Sequence, residues 1–208
     1  MVVLSRIYTR TGDDGSTALG DMSRTSKTDP RLLAYADCDE TGAALGVALT
    51  CGDLPDDVRA VLARVQNDLF DVGADLCTPL AATYAYPPLR VLEPWVTELE
   101  AHCDTFGEPL GTLRSFVLAG GTTGSAYLHV ARTVARRAER STWLAISTYG
   151  TGDDGGVNPL TARYLNRLSD LLFVLGRYAN HVAGRGDVLW VPGGGREAVP
   201  EGIPDDEV

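Results

Sequence analysis

Arginine carries the sharpest chemical signal in this sequence. In HVARTVARRAER, His129, Arg132, Arg136 and Arg140 recur at intervals of three and four, so a helix sets them on one face with Arg137 and Glu139 beside it. Guanidiniums one turn apart repel by roughly 0.2–0.5 kcal/mol per pair, a cost that a bound polyphosphate relieves. Arginine's planar fork also matches phosphate oxygens. A solvated basic face is the competing explanation. In RYLNRLSDLLFVLGRYAN, Asn166 and Asp170 lie one turn apart, beside the pair Arg163 and Arg167. The Asn166 amide is suited to a base, a phosphate or a metal-bound water, and equally to a helix–helix hydrogen bond. Asp37, Asp39 and Glu40 form an acidic cluster that can meet an arginine face, with a structural salt bridge favoured over acid catalysis.

Glycine-containing stretches supply the other candidates. TRTGDDGST, Thr9 to Thr17, shares the core TGDDG with Thr151 to Gly155. Neither is a calcium loop, because Arg24 and Tyr164 fall where the bidentate glutamate belongs. GGTTGSA, from Gly120, opens a helix but lacks the Gly-Lys-Ser/Thr of a P-loop. The first TGDDG has Arg10, Ser16, Thr17 and, further on, Lys27 around it, so amides, hydroxyls and cations share a short span. The second has no such neighbours and reads as a turn.

The elements that must position these residues are helices. Asp29-Pro30 predicts a cap and first turn for a helix over about 30–51, ended at Gly52. Val58, Leu62, Val65, Leu69, Val72 and Leu76 predict a second amphipathic helix that stops at Thr78-Pro79. A third covers about Glu93 to Phe106 and a fourth about Ser125 to Ser147. Asn158-Pro159 starts the fifth, with Leu165, Leu168, Leu172, Leu175 and Ala179 as its buried seam. Almost no strand pattern is present. The expected fold is all-α, a five-helix bundle with ferritin-like up-down packing, a flexible N-terminal loop and one domain over 1–191. Residues 192–208, rich in glycine, proline and acid, are expected to be a disordered tail.

Composition narrows the functions. A chain of 208 residues with 44% hydrophobic content can bury one sizeable core, and its net charge of −10 opposes nucleic-acid and anionic-membrane partners. Cys38, Cys51, Cys77 and Cys103 are scattered without metal-site spacing and read as reduced thiols. No apolar run is long enough for a signal peptide or a membrane span, so a cytoplasmic protein is expected.

Five ordered blocks, IYTRTGDDGST, DPRLLAYADCDE, FVLAGG, LHVARTVARRAER and YLNRLSDLLFVLGRYAN, make the chain resemble PduO-type ATP:cob(I)alamin adenosyltransferases over about residues 7–180. The resemblance implies a homotrimer that binds ATP and cobalamin between subunits. It implies transfer of the 5′-deoxyadenosyl group to cobalt with release of triphosphate, and ATP used with magnesium. It places Thr9, Arg10, Thr11, Gly12, Ser16, Thr17 and Lys27 at the nucleotide, together with Arg136, Arg137, Glu139, Arg140 and Asn166. Arg132, Arg136 and Asn166 stand at the catalytic positions. Phe116 matches the aromatic below the corrin, and Asp39 the residue that pairs with Arg132 of a neighbouring chain. A cob(II)alamin reductase and an adenosylcobalamin-dependent enzyme are the implied protein partners. The chain departs from the family pattern at Asp14, where lysine is usual, at Thr41-Gly42 in place of Leu-Asn, and at Ala119 in place of proline.

The implied chemistry suits the residue types. Co(I) is itself the nucleophile toward C5′, so the protein has to align C5′ and stabilise charge on the leaving triphosphate, as an arginine row can. An apolar group such as Phe116 in place of the lower axial ligand removes a donor and raises the cobalt potential. No histidine or cysteine base is needed. Two other readings stay open at this point: a non-catalytic module that carries ATP or cobalamin to a partner, and a purely structural bundle.

Overall fold

The computed structural model describes residues 7–195. Five helices carry the fold: α1 (Pro30–Cys51), α2 (Asp56–Cys77), α3 (Glu93–Gly107), α4 (Thr123–Tyr149) and α5 (Pro159–Val182). Helix α1 packs on α2 and α4, and α5 on α4 and α3, giving the all-α five-helix bundle. All six apolar positions of the α2 stripe and all five of the α5 seam are buried, which is what their spacing of threes and fours requires.

Local chemistry fixes the helix ends. The Asp29 side chain accepts from the Arg31 amide at 2.8 Å, with Pro30 in the first turn. Asn158 caps α5 by accepting from the Leu160 amide at 3.1 Å, while its NH₂ donates to buried Asp75 at 2.7 Å. Asp75 also accepts from Arg90 at 2.5 Å and from the Val91 amide at 2.7 Å, so this buried carboxylate is fully partnered. That network holds the segment before α3 against the start of α5.

The bundle has two poles. At one, the guanidinium of Arg31, 2% exposed, donates to the carbonyls of Leu76 at 3.1 Å and Gly155 at 2.7 Å. The start of α1, the end of α2 and the α4–α5 connection therefore meet there. At the other pole, Gly52 to Pro55 lie beside Gly121 to Thr123 and Ala179 to Val182, and the Thr122 amide donates to Asn180 at 2.8 Å. Consecutive long helices thus run in opposite directions, and the 27 residues of α4 span about 40 Å between the poles.

Two regions differ from the sequence expectation. The N-terminal segment contains a hairpin, β1 (Ser16–Ala18) paired antiparallel with β2 (Arg24–Ser26), where no strand was expected. Three residues per strand are too few for alternation to register in sequence. The expected tail from 192 begins with a 3₁₀ turn, Pro192–Gly195, and its remainder lies outside the described residues.

Candidate functional site

Helix α4 sorts its cations by partner. Arg137 turns toward α1, where Asp37 accepts from it at 3.2 Å and Glu40 completes the ion pair; Ser141 donates to the same Asp37 at 2.6 Å. Hydrogen bonding to Glu40 is the first reason that the Arg137 pKa is raised. This is the structural bridge expected of the acidic cluster. Arg136 and Arg140 are exposed, and no hydrogen bond or ion pair ties either to another described residue. Arg132 is half-buried, and its Nε donates to Nδ1 of His129 at 3.3 Å. Burial, then the nearby charge of Arg136, lowers the Arg132 pKa, so the like-charge crowding read from the spacing is present. His129 is buried against Phe173; burial, then Arg132, lowers its pKa against the pull of Asp187.

Helix α5 completes this face. The Asn166 amide donates to Glu139 at 3.1 Å, and the Trp143 indole N–H reaches the same oxygen at 3.4 Å. Glu139 therefore links the arginine row to Asn166, and of the alternatives left open for Asn166 the helix–helix hydrogen bond is made. Asp170 is engaged by Arg167 at 2.6 Å and stands apart from the Asn166 contact. Trp143 had no signal in the sequence.

The N-terminal loop occupies the pole of Arg31. Thr25 and Tyr149 both donate to Asp29 at 2.6 Å, which ties the hairpin to the start of α1 and the end of α4. Thr9, Arg10, Thr11, Asp13, Asp14 and Gly15 are exposed, Gly12 and Thr17 half-buried. Lys27 lies over the turn: a Cβ on Gly12 would come within 3.1 Å of its Nζ. Asp14 accepts from the Ser16 hydroxyl at 2.7 Å and amide at 2.9 Å, and these bonds, aided by Arg24, lower its pKa. Arg24 donates to the Thr11 carbonyl at 2.8 Å and to the Ser16 hydroxyl. Sequence reasoning passed over Arg24 because only the hairpin register, Ala18 opposite Arg24, brings it to the turn.

Phe116 sits at the opposite pole and is 77% exposed. Its ring meets Trp190 edge-on at 6.0 Å, and the Trp190 amide donates to the Phe116 carbonyl at 2.8 Å. Val117 pairs with Leu189, so the segment around Trp190 is a strand-like strap beside the aromatic. Ala119 is exposed nearby. Two solvent-facing aromatic rings held by backbone pairing make a surface suited to a flat apolar ligand.

Asp39 is exposed on a groove between α1 and α2 of about 840 Å³, lined among others by Tyr35, Ala43, Leu69 and Phe70. Thr41 and Gly42, the departures from the family pattern, leave α1 continuous: the Thr41 hydroxyl donates to the Asp37 carbonyl at 2.8 Å, and Gln66 donates to the Gly42 carbonyl at 2.9 Å. The structure thus joins Glu139 to Asn166 and Phe116 to Trp190, but leaves the nucleotide loop and Asp39 apart from the arginine face. Among the described residues no group of three His, Cys, Asp or Glu could hold a metal ion, and no helix is long and apolar enough to cross a membrane.

Residues 7–179 match the family model described as cobalamin adenosyltransferase. The chain is 56% identical over 197 residues to the corrinoid adenosyltransferase of Mycobacterium tuberculosis, covering 95% of this chain and 98% of that one. It is 44% identical over 187 residues to the cobalamin adenosyltransferase of Cupriavidus metallidurans, covering 90% and 95%. A variant PduO-type ATP:corrinoid adenosyltransferase from Lactobacillus reuteri, solved in complex with cobalamin and ATP, superposes with a TM-score of 0.80 at 32% identity over 89% of this chain and 96% of that one.

Proposed function

The chain belongs to the PduO-type cobalamin adenosyltransferase family and performs ATP-dependent adenosyl transfer to a corrinoid, and from that premise we propose which of its residues carry the reaction and how protomers share them. Its substrates are ATP and cobalamin. The electron pair of Co(I) forms the bond to C5′ as the C5′–O bond breaks, and the triphosphate leaves with that bond's electrons. The protein's work is alignment and charge stabilisation.

Arg136 and Arg140 face the phosphates, since they are the cations of α4 left without partners among the described residues. Glu139 and Asn166 orient the nucleoside through their shared hydrogen bond. Arg132 lies beside them toward the corrin, its fork steadied by neutral His129. Arg137 acts indirectly, by holding α4 on α1. Thr9, Arg10, Thr11, Gly12, Ser16, Thr17 and Lys27 close over the triphosphate, and Phe116 with Trp190 covers the lower corrin face.

One observation carries the sharing of the site. The nucleotide loop sits at one pole and Phe116 at the other, about 40 Å apart along α4. The hydrogen bonds of Thr9, Thr11, Asp13, Gly15 and Ser16 run within the loop and its hairpin. Loop and Phe116 therefore serve one site only across protomers, and the loop of one protomer is placed over the arginine face of its neighbour in a homotrimer, with the α1–α2 groove as contact surface and Asp39 reaching Arg132 of the next chain. Magnesium bound to the triphosphate would neutralise phosphate charge and needs few protein ligands. The four cysteines stand free, which suits the reducing cytoplasm in which we place the protein. A one-electron reductase acting on cob(II)alamin and an enzyme that uses adenosylcobalamin are its protein partners.

The test is anaerobic turnover of ATP with chemically reduced cobalamin, followed by the absorbance of adenosylcobalamin. Arg136→Ala is expected to lower kcat by at least about 100-fold, and Asn166→Ala by less. Full kcat in Arg136→Ala would remove that residue from the leaving-group role.

A further inference from the structure

We propose that Arg24 is a positioning residue of the nucleotide loop: its charge masks Asp14, so that the turn over Gly12 can accept the triphosphate. The inference rests on the assignment of Thr9 to Thr17 as the phosphate-binding loop.

Asp14 is a carboxylate at the tip of a turn that has to approach an anion, and its side chain is 70% exposed. An unmasked charge there repels the incoming phosphates across a few ångströms of partly excluded water. Three contacts bring Arg24 to it. One amino group of its guanidinium donates to the Thr11 carbonyl at 2.8 Å and to the Ser16 hydroxyl, and lies 3.8 Å from the Asp14 carboxylate. Ser16 in turn donates to Asp14 through both its amide and its hydroxyl, which keeps the carboxylate folded back against the turn. Lys27 remains over Gly12, its amide donating to the Gly15 carbonyl at 2.9 Å. Within this loop and hairpin Arg10, Arg24 and Lys27 outnumber Asp13 and Asp14 by one, once Asp21 at the far turn is set aside with its Ser23 partner. Without Arg24 the phosphate-facing part of the loop is neutral.

Arg24 also braces the turn mechanically, and the two roles separate experimentally. Arg24→Ala is expected to raise KM for ATP about tenfold with a smaller effect on kcat and on KM for the corrinoid. Adding Asp14→Asn removes the unmasked charge but restores neither hydrogen bond of Arg24. The double variant is therefore expected to return to within about threefold of the wild-type KM, and Asp14→Asn alone to bind ATP at least as tightly as wild type. Melting temperatures of all variants, measured alongside, report whether the fold is intact. A double variant no better than Arg24→Ala overturns the masking role, as does an Arg24→Ala variant with unchanged KM. Lys27→Ala separates the two levels of the argument. If it also leaves KM for ATP unchanged, the phosphate-loop assignment falls and the proposal with it; if it raises KM while rescue fails, the proposal alone falls.

Discussion

Arg136 and Arg137 are adjacent, and the 100° turn between them gives them different work. Arg137 faces Asp37 and Glu40 of α1, whereas Arg136 faces solvent with no partner among the described residues. Arg137→Ala is therefore expected to cost stability. The loss should be about 1 kcal/mol at most, because the arginine side chain is 42% exposed and its pairing is screened. Arg136→Ala should leave the unfolding midpoint unchanged while turnover collapses; denaturant titration alongside kinetics separates the two. His129 supports a second statement at this scale. Its pKa is lowered from 6.5, chiefly by burial, so the ring stays neutral and keeps accepting from Arg132 as pH falls toward that value. The pH profile of kcat/KM should show no histidine limb at or above pH 6.5, and one centred there would contradict the buried neutral ring.

The two copies of TGDDG show how an element gives a motif its role. The closing glycine is at positive φ in both, +82° at Gly15 and +104° at Gly155, so the pentapeptide encodes the same kind of turn twice. The second copy is clamped by the buried guanidinium of Arg31, while the first is an exposed turn stapled to a hairpin. Gly155→Ala should accordingly lower stability by about 1–2 kcal/mol with KM unchanged. Gly15→Ala carries the same positive-φ strain and should in addition raise KM for ATP. The cap at Asp29 joins these elements and is sensitive to pH. Burial pushes its carboxyl up, but hydrogen bonds from Thr25, Tyr149 and the Arg31 amide, with the Arg31 charge, outweigh that and leave it below 3.8. Since the folded value lies below the unfolded one, the contribution is present above 3.8 and is lost as pH falls through the folded value. Asp29→Asn should thus be less stable than wild type near neutrality, and urea unfolding should show the gap closing below pH 3.8.

At the scale of the whole molecule, a site shared between protomers predicts complementation. Two variants inactive for different reasons, Lys27→Ala combined with Gly12→Val in the loop and Arg136→Ala in the face, should regain activity when co-expressed and mixed. Mixed assemblies contain some sites with both halves intact, whereas a site built within one chain would show no recovery. Phe70, 76% exposed on the α1–α2 groove, tests the contact itself. Phe70→Glu should shift sedimentation to smaller species and lose activity in parallel.

The sequence by itself determined the helices. Asp29-Pro30, Thr78-Pro79 and Asn158-Pro159 mark their ends, and the spacing of Val58 to Leu76 and Leu165 to Ala179 marks their buried sides. Capping and burial are local or periodic, so they leave a trace in residue order. It also determined which cations crowd on α4 and where the aromatic Phe116 lies. Tertiary structure alone decided which of those cations is free. Arg137 and Arg136 are indistinguishable by type, and the difference comes from α1 lying across one side of α4, a contact between residues about 100 positions apart. It decided too that Trp143 joins Glu139 and Asn166, and that Arg24 comes to the Gly12 turn through a ladder too short to leave a pattern. The separation of the loop from Phe116 follows from the opposed directions of packed helices, which residue order does not record.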